Sequence, residues 1–359
     1  MGVVRLINLF QNDDVIHSVC SIGSDTLLKE LLPEGTDLYT LRIEGACYTA
    51  FSSLLRLFKK TKTDIAHVNN LAPWLDVAIA SKLAGCKCIE TFHGVEEKPA
   101  QLPVWRRGLL RVSCALSSRI TAVSESSKDL LVKLSGIRRH KIKVFPNGVD
   151  ADLFSPAASP GEKRKLRIRL NLPEDGFLIG CVSALRPVKD HEGLIKAFAL
   201  FISDDHSPAK QRNANLVLVG DGPLASELQL YSGRLGIGDK VIFMGRRNDV
   251  QEILRAMDVF VLNSKTEGMS YALLEAMSSG LPVIATDVGG NVELISHDSD
   301  GYLVPQGDVE SLAGCMVKLG NDQFLLLRMG RNARDKIVKT YSLNKMVSSY
   351  RDLYRESLL

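Results

Sequence analysis

Twice along this chain, short runs of β-branched and apolar residues alternate with longer helical patterns, and a stretch rich in proline, glycine and serine separates the two series. In the first half the short runs are VIHSVCSI (15–22), DLYTLRI (37–43), DIAHVN (64–69), CKCIETF (86–92), RITAV (119–123) and KIKVF (141–145), with helical spacing at 50–60 and 75–84 between them. After the break at 146–165 the rhythm restarts with FLIGCVSAL (177–185), ANLVLVG (214–220), KVIFMG (240–245), VFVLN (259–263), PVIAT (282–286) and GYLVP (301–305). A strand that returns to its sheet through a helix pairs in parallel, and such a sheet needs helices on both faces. The expected fold is therefore α/β, with two doubly wound, Rossmann-like domains facing a cleft. Their expected limits are 1–155 and 166–340, with 341–359 a terminal helix crossing back to the first domain. Ligands of such sheets bind outside the carboxyl ends of the strands.

The composition narrows the function classes. No stretch reaches the roughly 18 continuous apolar residues of a membrane span. The opening MGVVRLINLF carries Arg5 and Asn8 and no small-residue cleavage site, so it does not read as a signal peptide, and Leu6 stands where a myristoylation signal needs Ser or Thr. Seven cysteines, irregularly spaced and odd in number, do not form a disulfide framework. A cytoplasmic protein with reduced thiols is expected. Residues 1–150 hold 20 Lys and Arg against 15 Asp and Glu, an excess of five, which leaves −1 of the net +4 for the remainder. That excess is too small for a nucleic-acid surface, and no nucleic-acid partner is expected.

The most informative segment is NSKTEGMSYALLEAMSSG (263–280). A buried strand ends in a loop bearing Glu267 and Gly268, and a helix begins near Ser270. The backbone amides of Gly268, Met269 and Ser270 at that helix start, at the positive end of its dipole, suit a diphosphate. Helical side chains lean toward the N-terminus, so Glu275 reaches the same ligand and can accept hydrogen bonds from vicinal hydroxyls such as those of a ribose. Glu267, ahead of the helix, then stands beside whatever the diphosphate carries. Taken alone, two glutamates eight residues apart read equally as solvated side chains on an ordinary helix.

Glu267 through Glu275, followed by AMSSGLPVIATDVGGNVELI, resembles the donor-binding region of the retaining glycosyltransferase family 4, of the GT-B class. PNGVD (146–150), RPVKDH (186–191), LVLVGDGP (216–223) and FMGRRNDV (243–250) follow in the family's order, and the resemblance runs through nearly the whole chain. It implies transfer of a sugar from a nucleotide-diphosphate donor, with a UDP-sugar the leading candidate, to a lipid-linked or saccharide hydroxyl with retention. Polysaccharide, lipopolysaccharide or glycolipid synthesis is the implied setting, at the inner membrane face. It further implies that Glu267 faces the donor sugar, Glu275 the ribose and Lys189 the leaving diphosphate, with the departing phosphate helping to deprotonate the acceptor. His93 is implied to reach the donor sugar from the first domain, and Arg246 and Arg247 to lie near the base. The family's arginine five residues before the lysine is replaced by Ala184, and Arg186 is the nearby substitute.

Other features compete with this reading. Gly220-Asp221-Gly222-Pro223-Leu224-Ala225, with Asp239 further on, matches a dinucleotide fingerprint and keeps a NAD-dependent dehydrogenase as a remote alternative, although it does not open a domain. Asp298-Ser299-Asp300 has the spacing of paired metal-binding carboxylates, yet it sits in a polar turn, and neither a metal nor another cofactor is expected. Val3, Leu6, Ile7 and Phe10 recur at helical spacing with no glycine-rich turn before them, so the first domain is expected to lack its opening strand and turn. That feature and Ala184 leave open a catalytically silent or truncated sugar-nucleotide-binding module. Finally, WRRGLLRVSCALSSRI (105–120) combines Trp105, Leu109 and Leu110 with Arg106, Arg107 and Arg111. It reads either as a surface for peripheral contact with anionic lipid or as a helix with a solvated basic face.

Overall fold

In the computed structural model, which describes all residues except 1–3, 5, 8, 9, 11–14, 24–30, 44–48, 95–102 and 204–212, every strand pairing among the described residues is parallel. The chain divides into two units, Met1–Asn147 with Asn344–Leu359, and Gly148–Leu343.

In the first unit, β1 (Ser18–Ser21) and β2 (Asp37–Thr40) form a pair, while β3 (Ile65–Val68), β4 (Lys87–Phe92), β5 (Arg119–Ala122) and β6 (Ile142–Val144) form a sheet in that order. Strand alternation sends Ala66, Val68, Cys88, Phe92, Ile120, Ala122 and Ile142 into one core with Trp74, Val77 and Leu131. The opposite face is polar and lies under the C-terminal helix Leu343–Leu358. There the His67 imidazole lies 2.6 Å from the Tyr354 hydroxyl and 2.7 Å from that of Thr91, which is 2.7 Å from Thr121 and 3.3 Å from Tyr350. Burial, with His93 nearby, pushes His67 down to about 3, so the ring is neutral. Of the residues expected at helical spacing, Leu6 and Ile7 are helical and buried and Phe10 is buried, with Val4 helical and buried beside them, while Val3 lies outside the described residues. The other positions of 1–14, apart from Phe10, lie outside the described residues. The first expected strand is shorter than its run, Ser18–Ser21 in place of 15–22.

The second unit holds β7 (Leu178–Val182), β8 (Asn215–Val219), β9 (Val241–Gly245), β10 (Val259–Leu262), β11 (Val283–Thr286) and β12 (Gly301–Val304) in the order β12-β11-β10-β7-β8-β9. All residues of β8, β10 and β11 are buried, which explains why these runs read as continuous apolar text rather than as alternation. The stretch 148–165 belongs to this unit and is not a loose connector. Its carbonyls need donors, and two arginines supply them. Arg334 Nη1 donates to the carbonyls of Ala151, Phe154 and Ser278, each at 2.7 Å, and Arg255 donates to those of Leu153 and Ser155. Helix Pro160–Arg169, capped by Ser159, follows, and its Arg167 meets Asp258 at 2.7 Å.

Glu90 on β4 is fully buried and accepts a hydrogen bond from Ser113 Oγ. Desolvation pushes its carboxyl up to about 7, against the hydrogen bonds of Ser113 and Ser117. The folded chain thus holds this proton more tightly than the unfolded one. The stabilisation of the protonated form is complete below the ordinary value of 4.5 and is lost as pH rises through about 7. Glu90→Gln is expected to flatten the fall in melting temperature between pH 4.5 and 7.5, measured by calorimetry.

Candidate functional site

The sheet of the second unit reverses its winding between β7 and β10. From β7 the chain proceeds outward to β8 and β9, then crosses to the other side of β7 to build β10, β11 and β12. The carboxyl ends of β7 and β10 therefore lie side by side, with Val259 opposite Ile179 and Phe260 opposite Gly180. This is the switch point at which doubly wound sheets bind ligands. Gly180 leaves room there for the Met257 thioether, which a Cβ would displace.

The loop after β7 carries Arg186, exposed, and then the 3-10 turn Pro187–Lys189. The loop after β10 carries Ser264, Glu267, Gly268 and Met269, and ends at Ser270, which caps helix Tyr271–Ser278 by accepting from the Leu273 amide at 3.3 Å. The two loops meet in an ion pair: Lys189 Nζ lies 2.6 Å from Glu267 Oε1, with the Glu267 side chain only 9% exposed. Ser264 Oγ donates to the same Oε1 at 2.6 Å. Ser264 is itself fixed, since its carbonyl accepts from Thr286 Oγ1 at 2.6 Å, and the Thr286 carbonyl accepts from Asn291 Nδ2 at 3.0 Å. Burial, with Lys189 nearby, holds His191 down at about 4, so the ring that contacts Ser183 Oγ at 2.9 Å is neutral.

Among the residues expected from sequence, Lys189, Glu267, Gly268, Met269, Ser270 and Glu275 thus come from two adjoining strand ends and the helix that follows. Glu275 is buried, on the second turn of that helix. Arg246 and Arg247 are exposed in the loop after β9, and Arg247 forks onto Asp249 of the same loop at 2.9 and 2.6 Å. His93 belongs to the first unit, at the end of β4. Its Nε2 lies 3.4 Å from Asn69 Oδ1, and burial lowers its pKa to about 4, so the ring is neutral.

The competing motifs have structural explanations. A side chain at Gly220 or Gly222 would strike the carbonyls of Ser183 and Leu185, so the fingerprint-like glycines serve the close approach of the β8 loop to the β7 loop. Asp300 accepts from the Ser296 amide at 2.8 Å and pairs with Lys336 at 3.0 Å, while Asp298 takes a left-handed turn conformation. Among the described residues, no group of three or more His, Cys, Asp or Glu side chains is placed to hold a metal ion.

Sequence reasoning passed over Ser264 and the pair Gly289-Gly290. A Cβ on Gly289 or Gly290 would collide with the carbonyls of Glu267 and Gly268, so this pair lets the β11 loop close over the Glu267 loop. The signal was present as a glycine doublet just beyond a strand end, which marks close backbone approach.

Residues 9–153 match the family model of Glycosyltransferase Family 4, and residues 162–336 that of Glycosyl transferases group 1. The chain is 33% identical over 310 residues to the UDP-Gal:alpha-D-GlcNAc-diphosphoundecaprenol alpha-1,3-galactosyltransferase of Escherichia coli, covering 84% of this chain and 78% of that one. It is 30% identical over 312 residues to the N-acetyl-alpha-D-glucosaminyl L-malate synthase of Bacillus anthracis, covering 86% and 78%. The crystal structure of Anabaena HepE in complex with UDP-glucose superposes with a TM-score of 0.83 at 24% identity, over 99% of this chain and 95% of that one. The two Rossmann-like units define a glycosyltransferase of the GT-B class. Within that class the chain belongs to the glycosyl transferases group 1 family, whose members act on nucleotide-sugar donors.

The glycine doublet gives a test of this packing. Gly289→Ala adds a left-handed strain at φ 52° to the collision with Glu267 and is expected to cost about 1–3 kcal/mol. Gly314→Ala, in helix Val309–Asn321 with open space around its Cβ, is expected to stabilise by about 0.5–1 kcal/mol. Urea unfolding of the two variants measures both signs.

Proposed function

We propose that the protein is a retaining hexosyltransferase that moves a sugar from a UDP-sugar to a hydroxyl of a saccharide or lipid-linked acceptor in polysaccharide, lipopolysaccharide or glycolipid synthesis. The observation that carries this reading is the contact of Lys189 with Glu267 at the β7–β10 switch point. A cation and a carboxylate there suit the two ends of a sugar diphosphate. As the anomeric carbon–oxygen bond breaks, negative charge grows on the leaving diphosphate, and a preplaced ammonium stabilises it. Arg186 and the 268–270 helix start assist Lys189, Glu275 holds the ribose, and Arg246 and Arg247 flank the base. Glu267 accepts from sugar hydroxyls. The acceptor hydroxyl forms the new bond to the same face of the sugar, and its proton passes to the departing phosphate oxygen. The Escherichia coli relative, named for UDP-Gal and a diphosphoundecaprenol acceptor, and the UDP-glucose complex of HepE support the choice of UDP and of a lipid-linked acceptor.

A thermal-shift screen against UDP, GDP and ADP, followed by turnover of the matching sugar nucleotides, tests the reading, with stabilisation expected for UDP. Glu267→Ala and Lys189→Ala are each expected to lower kcat about 100-fold or more, and Glu275→Ala to raise the donor KM about tenfold. Wild-type turnover in the first two would remove the site. Nucleotide binding without turnover of any sugar nucleotide would favour the silent binding module.

The membrane side of the proposal rests on helix Val104–Leu116. No helix among the described residues is long and apolar enough to cross a membrane. This helix nevertheless leaves Val104 83%, Trp105 55% and Val112 49% exposed beside Arg106 and Arg111, and its sequence VWRRGLLRVSCAL contains no acid. We infer peripheral docking on anionic lipid at the cytoplasmic face. Co-sedimentation with phosphatidylglycerol vesicles is expected to fall severalfold for Trp105→Ser with Arg106→Glu. Equal sedimentation with phosphatidylcholine vesicles would overturn it.

A further inference from the structure

The ion pair of Lys189 and Glu267 joins two loops, and the way those loops are gripped extends the proposed function to residues that touch neither sugar nor nucleotide. Three consecutive residues at the exit of β10 each make a different tie. Asn263, buried, points its Nδ2 at Asp190 and donates to both its carbonyl and its Oδ2, each at 3.1 Å. Ser264 Oγ holds the Glu267 carboxylate at 2.6 Å. The Lys265 amide donates to the Val188 carbonyl at 2.8 Å, and its ammonium lies 3.6 Å from Asp190 Oδ1.

Asp190 directly follows Lys189 and closes the Pro187–Lys189 turn in a left-handed conformation, φ 46° and ψ 51°. A side chain at Gly193 would come within 2.8 Å of both Asn263 Nδ2 and Asp190 Oδ2, so the bridge is packed with no room above it. An aspartate in that strained conformation persists where its surroundings hold it. Here Asn263 and Lys265 hold both its main chain and its carboxylate. The short stretch 263–265 therefore fixes both partners of the ion pair, one through Ser264 and the other through the turn that presents Lys189.

We propose that Asp190 and Asn263 are positioning residues: their bridge locks the Pro187–Lys189 turn to the β10 exit and so sets where the Lys189 ammonium meets the diphosphate of the donor. The proposal rests on the assignment of Lys189 to the diphosphate. In its terms, Lys189 is placed before the donor arrives, and the cost of ordering a long, flexible side chain falls on folding rather than on binding.

The test is a double-mutant cycle read by UDP affinity, using calorimetry on the full chain, with donor turnover in parallel. Lys189→Ala is expected to weaken UDP binding about tenfold, and Asn263→Ala and Asp190→Gly three- to tenfold each. The glycine tolerates the left-handed turn while removing the carboxylate. Asp190→Asn keeps an acceptor oxygen for Asn263 and the same turn preference, and is expected to stay within about twofold of the wild type. In the Lys189→Ala background, Asn263→Ala is expected to add less than about 1.5-fold, because the residue it positions is gone. Equal losses in both backgrounds, or Asp190→Asn as impaired as Asp190→Gly, would overturn the proposal while leaving the assignment of Lys189 in place. Unchanged UDP affinity in Lys189→Ala would instead remove that assignment, and the positioning role with it. Melting temperatures of the same variants separate a general loss of fold, which lowers UDP binding additively, from the coupled loss expected here.

Discussion

The parallel pairing of β7 with β10 is the constraint on which the second unit depends. Because β10 pairs with β7 in parallel, these two strands end beside each other. Gly180 lets the pair approach past Met257. The central ion pair hangs from these two ends: Lys189 from one, Glu267 and the Ser270-capped helix from the other.

A half-buried ion pair is a poor source of stability, since removing two charges from water offsets much of their attraction. Its presence here makes sense as placement. Glu267 accepts from Ser264 as well as from Lys189, and Ser264 is anchored through Thr286 to Asn291, so the carboxylate is supported from β11 as well as from β10. The glycine doublet at 289–290 exists for the same reason. It admits the β11 loop against the Glu267 and Gly268 carbonyls, where any side chain would force the loops apart. The resulting neighbourhood, with the neutral His191 ring close by, holds the two charges in a fixed geometry.

Much of this was legible in the text of the chain because burial on both faces leaves a plain mark. Runs such as LVLV and VFVL have no polar phase, and a sheet covered by helices on both sides is the arrangement that buries them whole. The glutamates stood out because they flank a helix start that follows such a run, and Lys189 through the resemblance that RPVKDH carries. Ser264, Asp190 and Asn263 did not, since their work is done by a hydroxyl, a turn conformation and an amide that the sequence presents as ordinary loop residues. The segment 146–165 read as a break between the two series because proline and glycine signal irregular backbone without saying what satisfies it. The answer, Arg334 and Arg255, lies far along the chain. Likewise the limits of the first strand depend on long-range pairing, which composition does not encode.

The first unit is built from two separated stretches, and this has a consequence for how the molecule comes into being. Its polar layer of His67, Thr91 and Thr121 is covered by Tyr350 and Tyr354, which the ribosome adds only after the entire second unit has been made. During synthesis the second unit has its whole sequence in hand while the first still waits, one face of its sheet open, for a helix encoded nearly 200 residues later than Asn147. Order along the chain and order of completion are thus reversed: the unit that is translated first is the one finished last.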